Sequence, residues 1–318
     1  MWRLACSALA LAAACALPKG EPFDWQAKLG RDDPLAGQIL DARTGAAITR
    51  DELGGRLRLA DFILLGEKHD NPDHHRLQAW VIESLARDGS PPAIAFEMLS
   101  EDNRPALVEW RRLYPENLEA LGEMLDWKHS GWPPWEIYRP VFAAVVSRQL
   151  AIEPANLSKQ ELAQLHRAGI ESIPPERRTA LALDPPLAGA ARESLVQEIR
   201  EGHCGVADDG MIAAMIDTQR VRDATLADAL IRSPIPAVLI AGAGHVRKDR
   251  AVPLYVARRA PERRVISIAF VEVGPDAAAR AELARDFDFL WFTPRVDDLD
   301  PCDRFREELE KMRPRGEG

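Results

Sequence analysis

The sequence predicts an α/β fold with a mostly parallel central sheet and helices on both faces. Three observations carry this prediction. Short apolar runs recur at 59–65, 93–97, 150–156, 236–241, 264–271 and 287–292, with helical stretches between most of them; strands that alternate with helices build parallel sheets. Most of these runs are apolar throughout, as strands covered on both faces are. Two of them end alike: Leu64-Leu65-Gly66-Glu67-Lys68-His69 and Leu239-Ile240-Ala241-Gly242-Ala243-Gly244-His245 each stop at a glycine with a histidine three residues on.

The chain has 318 residues, 46% of them apolar and 29% charged, with a formal net charge of −9. That is an ordinary globular balance, and without a basic stripe nucleic acid is excluded as a partner class. Residues 1–16 have the makeup of a secretory signal peptide: Arg3, then a small, apolar stretch too short for a typical membrane span. Two processing sites present themselves. Ala14-Cys15-Ala16 is a small-x-small site, and Leu11-Ala12-Ala13-Ala14-Cys15 resembles a lipobox in which Cys15 would carry a lipid anchor to the membrane. Residues 17–36 then read as a polar, proline-containing tether, 37–295 as the folded domain and 296–318 as a charged tail. Of the four cysteines, only Cys204 and Cys302 lie outside the leader, and in an oxidising compartment they can pair.

Within the domain, Gln38-Ile39-Leu40 is a short strand and residues 49–53 begin a helix. The run 59–65 is the first buried strand. Asn71-Pro72 then starts a helix to about Arg87, with asparagine as N-cap and proline at the first helical position. His74 and His75 fall in its first turn as surface residues. The next strand, 93–97, ends on Glu97, and residues 98–110 turn helical. Residues 114–138 hold Trp127, Trp132, Trp135 and Tyr138 among glycines and prolines, and read as an irregular binding loop that leads into a helix over 141–149. A strand over 150–156 and a helix over 159–168 follow. After a proline-rich connection come helices over 191–201 and 211–231, the second Gly-x-x-His strand, the strand 264–271, a helix over 275–285 and a last strand at 287–292.

Ligands of open α/β sheets bind outside the carboxyl ends of the strands. Glu67, His69, Glu97, Asn156 and His245 all stand at such ends. His69, His245 and Glu97 are candidate ligands of a divalent metal, with Glu67 to complete the shell. Glu97 is equally a general base raised by its apolar strand, or a carboxylate paired with Arg139 or an arginine of 247–250. The aromatic loop either pins itself to the core or lines a pocket for a flat apolar ligand, in which Tyr114, Tyr138 or Tyr255 could ligate ferric haem.

Five segments together resemble the ChaN-type haem-binding uptake family. They are 64–72 (Leu-Leu-Gly-Glu-Lys-His-Asp-Asn-Pro), Phe96-Glu97-Met98-Leu99, Gly131-Trp132-Pro133 with Tyr138-Arg139-Pro140, His203-Cys204-Gly205, and Gly242-Ala243-Gly244-His245-Val246-Arg247. Each alone is weak; the five in this order are specific, and the resemblance covers roughly residues 37–295. The resemblance implies an exported, outer-membrane or periplasmic haem-binding (lipo)protein of iron uptake, with haem in a pocket between two subunits and hence a haem-dependent homodimer. It implies Tyr138 as iron ligand, with His129, Lys128 and Arg247 about the haem. The wider superfamily holds TraB, the Tiki proteases and the erythromycin esterases. Likeness to these implies an alternative hydrolase, metal-dependent or acid–base, whose catalytic residues would be Glu67, His69, Glu97 and His245.

Overall fold

A computed structural model describes residues 23–87, 89, 91–274 and 283–304. Eight strands form one sheet: β1 (Ile39–Asp41), β2 (Ala47–Ile48), β3 (Phe62–Glu67), β4 (Ala93–Ser100), β5 (Ile152–Asn156), β6 (Ala237–Gly242), β7 (Val265–Glu272) and β8 (Phe289–Thr293). Their order is β2-β1-β8-β7-β3-β6-β4-β5. The strands from β3 to β8 are mutually parallel; the expected parallel sheet gains an antiparallel edge where β1 pairs with both β8 and β2. β2 is two residues long and too short to show a period.

Alternation along the central strands feeds two cores. Ile63 and Leu65 of β3, Ile94 and Phe96 of β4 and Val238 and Ile240 of β6 pack on one face. Its cover is α1 (Arg50–Leu57), α2 (Pro72–Arg87), α3 (Arg104–Leu113), α4 (Leu118–Met124) and α5 (Trp135–Ser147). Phe62, Leu64, Ala93, Ala95, Ala237 and Leu239 face the other way. There they meet α6 (Lys159–Ala168), α9 (Asp209–Arg232) and α10 (Val252–Arg259). Between α6 and α9 lie α7 (Pro175–Ala180) and α8 (Gly189–Gly202). The strands lack polar alternation because both of their faces are buried.

Local signals place the helix starts. Thr49 and Glu52 close a capping box on α1, as Ser158 and Glu161 do on α6. Asn71 Oδ1 accepts from the Asp73 amide at 2.9 Å, so the expected cap exists. Gly66 is required by packing. A methyl group there would overlap the Val246 side chain and sit 3.0 Å from Ala243 Cα. Gly66→Ala is therefore expected to destabilise the fold by about 1–3 kcal/mol, the usual cost of overpacking. Urea unfolding checks this, and an unchanged midpoint would refute the close approach.

Several expectations are corrected. From Phe23 on, the stretch read as a tether is docked on the domain: the amides of Gln26 and Ala27 donate to the Asp73 carboxylate at 2.8 and 2.9 Å, and Leu29 bridges Arg295. Polar composition hid this because backbone amides make the contacts. The tail read as 296–318 is tied down at Cys302, which is disulfide-bonded to Cys204; its residues beyond 304 lie outside the described ones, as do the signal peptide, Cys15 and residues 275–282 of the expected helix. β4 runs on to Ser100, where residues 98–110 had read as helix. The segment 114–138 is not a loop. It holds α4, a 3-10 turn (Trp127–His129) and the start of α5, which begins at Trp135, ahead of Pro140. Trp127 and Tyr138 are buried in the core, Trp132 and Trp135 pack partly against it, and the bulk of these rings masks the helical period. Among the described residues no helix is long and apolar enough to cross a membrane.

Candidate functional site

Strand order brings the two Gly-x-x-His segments together. β6 lies between β3 and β4, with Glu67 level with Gly242 and Phe96 level with Ile240. Glu67 and Glu97 thus flank the end of β6, and His69 leans over Gly242. A Cβ on Gly242 would stand 3.0 Å from His69 Nε2, so the glycine makes room for that ring.

Glu67 is buried and fully engaged. Its Oε1 accepts from Tyr138 Oη at 2.6 Å and lies 2.9 Å from His69 Nδ1. Its Oε2 accepts from Gln78 Nε2 at 2.6 Å and lies 3.1 Å from His75 Nδ1. Burial alone would raise this carboxyl; the charges and hydrogen bonds of His75 and His69 outweigh it and hold Glu67 well below the usual carboxylate range. His69, partly open to solvent, is lowered by burial but raised on balance by Glu67 and Glu97.

His74 and His75 are not surface residues; both are completely buried. His74 accepts from the Lys68 amide at 2.9 Å, and burial pushes its pKa down to about 3, so it is a neutral structural imidazole. His75 Nε2 faces the His69 carbonyl at 3.0 Å. α2 starts directly at the strand ends, so its first turn packs under the sheet instead of facing water.

Glu97 heads a second cluster. Its Oε1 meets Arg222 Nη2 at 2.5 Å and His245 Nε2 at 3.1 Å, and its Oε2 accepts from the Gly242 amide at 2.8 Å. His245 Nδ1 lies 2.6 Å from Asp223 Oδ1. Burial opposes the charged imidazole, but Glu97 and Asp223 on either side push its pKa up to about 9. Burial likewise raises Glu97, and His245 and Arg222 overcome it, leaving Glu97 well below the ordinary range. Glu97 is thus no base raised by its apolar strand. Its partner is Arg222, neither Arg139 nor an arginine of 247–250; Arg139 pairs with Glu119 at 2.9 Å instead.

The expected metal site does not form from His69, His245 and Glu97. Both His245 nitrogens face carboxylates and His69 Nδ1 faces Glu67, so protons and Arg222 balance the negative charge. Among the described residues no group of three or more His, Cys, Asp or Glu is placed to hold a metal ion. The two clusters together are a buried, charge-balanced network with His69 as its partly exposed member.

Next to it lies an aromatic hollow of about 590 Å3, lined by Trp127, Trp132 and Trp135 with Glu119, Glu123, Asp126, Lys128, His129 and Glu136. The Trp132 ring stands edge-on to His69, with 5.0 Å between ring centroids. Trp127 is buried, with its Nε1 donating to the Pro133 carbonyl at 2.9 Å. Trp135 Nε1 is buried and has no hydrogen-bond partner among the described residues. His129 is exposed, its Nδ1 held 2.6 Å from Asp126 Oδ1, which leaves Nε2 as its unengaged nitrogen.

The structure thus brings Lys128 and His129 to the hollow but neither Tyr138 nor Arg247. Tyr138 is completely buried behind it, bonded to Glu67. Burial and that carboxylate both disfavour its phenolate, so it is corrected from iron ligand to structural donor. Arg247 is spent on Asp249, Asp286 and Ser194. Tyr255 is buried, its hydroxyl pushed up to about 12 mainly by burial, and the half-exposed Tyr114 does not line the hollow. Gln78, Arg222 and Asp223 escaped sequence reading. They sit mid-helix, where the one available signal is a polar residue on an apolar face.

A family model described as "Haem-binding uptake, Tiki superfamily, ChaN" matches residues 53–256. A solved structure titled as cofacial heme binding to ChaN of Campylobacter jejuni is 21% identical, covers 80% of this chain and 95% of its own, and superposes with a TM-score of 0.64. A mutant of the erythromycin esterase EreC, solved in its open conformation, is 15% identical over 82% of each chain with a TM-score of 0.40. The type III effector HopBA1 is 13% identical over 77% of this chain and 92% of its own, with a TM-score of 0.38. No curated protein matches the chain in sequence.

Proposed function

Since the chain belongs to the haem-binding uptake family, ChaN, of the Tiki superfamily, we propose that it is a haem-binding protein of the bacterial cell envelope serving haem or iron uptake. The carrying observation is the hollow: three tryptophans form walls for a flat macrocycle, and the single imidazole in it has one nitrogen uncommitted. Its volume is within the range of cofactor sites, roughly 300–1,000 Å3. His129 takes the role of iron ligand in place of Tyr138. Lys128, exposed on the rim, meets a propionate, and the buried Trp135 Nε1 is a donor without a present partner.

The hollow is open to solvent, so a porphyrin in it would keep part of one face uncovered. A second copy closing over that face couples haem binding to dimerisation by mass action. The Cys204–Cys302 disulfide supports an exported, oxidising location. Either processing of residues 1–16 delivers the chain there, as a periplasmic protein or as an outer-membrane protein anchored through Cys15.

Titration with haem is expected to give a Soret band shifted from that of free haem and, on sizing, a change from monomer to dimer. His129→Ala is expected to abolish the ligated spectrum, and Tyr138→Phe to leave it in place. No uptake of haem at micromolar protein would sink the reading, and a spectrum unmoved by His129→Ala would sink the ligand. Mass spectrometry of the mature protein reports acylation at Cys15.

A further inference from the structure

We infer that the Cys204–Cys302 disulfide is a thiol-exchange latch: it holds α8 shut on the second Gly-x-x-His segment, and a dithiol protein opens it. The inference goes beyond the haem-binding reading and does not depend on it. Three features of this chain carry it.

The first is how lightly α8 is held. It buries two residues, Leu195 and Ile199, where α2 buries nine. They join Leu187, Ile212 and Ile216 in a small cluster separate from both cores of the sheet. Segments with few buried apolar contacts open locally at the smallest cost. The second is what α8 covers. Its Glu198 Oε1 lies 2.9 Å from where a Cβ on Gly244 would stand, so the helix rests on the backbone just before His245. A polar seam runs beside this contact. Ser194 Oγ accepts from Arg247 Nη2 at 3.0 Å and from Arg250 Nε at 3.1 Å, and Arg250 Nη2 donates to Glu198 Oε2. Under this cover Arg250 is only 1% exposed.

The third is where the bridge runs. Cys204 stands just beyond the end of α8, and Cys302 lies in a short helix (Pro301–Arg304) beyond β8. The segment that leads to Cys302 is fixed to the end of β7: Arg295 Nη1 donates to the Val273 carbonyl at 2.8 Å, and the Val296 amide to Glu272 Oε1 at 3.0 Å. The disulfide thus ties a lightly held helix to an anchored segment at the carboxyl edge of the sheet, where His69 and His245 stand. Both cysteines are half-buried, so a thiolate from outside can reach the bridge. One thiolate of the dithiol attacks a sulfur of the bridge; the S–S bond breaks and a mixed disulfide forms. The donor's second thiol then displaces the cysteine from it. Cys204 and Cys302 end as thiols, having gained two electrons and two protons, and the donor ends as a disulfide. With the bridge open, α8 lifts and water reaches Arg250 and Gly244.

The test is hydrogen–deuterium exchange of the full chain, read peptide by peptide before and after treatment with dithiothreitol. Reduction is expected to speed exchange roughly tenfold or more over residues 189–216 and to raise it over 243–250, while β3 and β4 stay as they were. Reoxidation is expected to restore the slow rates, and Cys302→Ser to reproduce the fast ones without reductant. A bridge that dithiothreitol leaves intact in the folded protein overturns the inference. So does unchanged exchange over 189–216, or an increase shared equally by β3 and β4, which a staple of the whole fold would give. Fast exchange in the reduced wild type but not in Cys302→Ser assigns the effect to the reagent and overturns the inference as well.

Discussion

Replacing Glu67 by alanine is expected to destabilise the protein by about 3–5 kcal/mol, the cost of breaking a buried charge network by deleting one partner. Glu67 is the shared acceptor for Tyr138 and Gln78 and stands against His69 and His75. Without it, a phenol, an amide and the His75 imidazole lose their counterpart in a region closed to water, His69 loses its partner at the edge of that region, and unpaired buried polar groups carry their full desolvation cost. For a domain of this size the loss corresponds to a melting temperature lower by on the order of 10 °C. Glu67→Gln keeps an acceptor at the same place and should lose less. Calorimetry on both variants checks this. A loss below about 1 kcal/mol for alanine, within the range of an exposed pair, would mean the network is not closed as described.

Stability is expected to fall as the pH rises from about 6.5 to about 9, and His245 is the reason. The folded pKa of His245 is raised from 6.5 to about 9. A group whose folded pKa exceeds its unfolded value contributes stability that is complete below the unfolded pKa and is lost as pH climbs through the folded one. The imidazolium between Glu97 and Asp223 thus stabilises most at and below pH 6.5, and its contribution is gone above about 9. Glu67, Glu97 and His74 have the opposite sign. Their folded pKa values are depressed, so their contributions are present at neutral pH and are lost in acid: the carboxylates below 4.5, and His74 between 6.5 and about 3. Maximum stability should therefore lie near pH 6.5. Urea midpoints for the wild type and for His245→Gln at pH 6.5 and 9 decide the point. The variant should be less stable at pH 6.5 and show a shallower slope across the interval, the remainder coming from His69, which Glu67 and Glu97 also raise. Parallel slopes in the two proteins would remove His245 as the source.

Much of the frame was legible in the sequence because its signals are local. Apolar runs without alternation marked strands buried on both faces, Asn71-Pro72 marked the start of α2, and Glu67, His69, Glu97 and His245 stood at strand ends. The pairing of Cys204 with Cys302 was open to sequence reading for a similar reason, as they were the two cysteines left beyond the leader. Aromatic residues gave the opposite result. Trp127 and Tyr138 read as loop because bulky rings near glycine and proline resemble a binding segment. In the fold Trp127 packs against Trp135, Tyr138 and Phe142 of α5, and Tyr138 turns inward to Glu67.

The sequence by itself thus determined that an α/β sheet would carry two carboxylates and two histidines at strand ends. The tertiary structure alone decided what those residues do. Inserting β6 between β3 and β4 set Glu67 and Glu97 on either side of Gly242, and the packing of α2 and α9 brought Gln78, His75, Arg222 and Asp223 onto them. A local period cannot encode strand order or the face a distant helix presents. The strand-end groups therefore satisfy one another as a closed network, and the open imidazole is His129, in the hollow beside it.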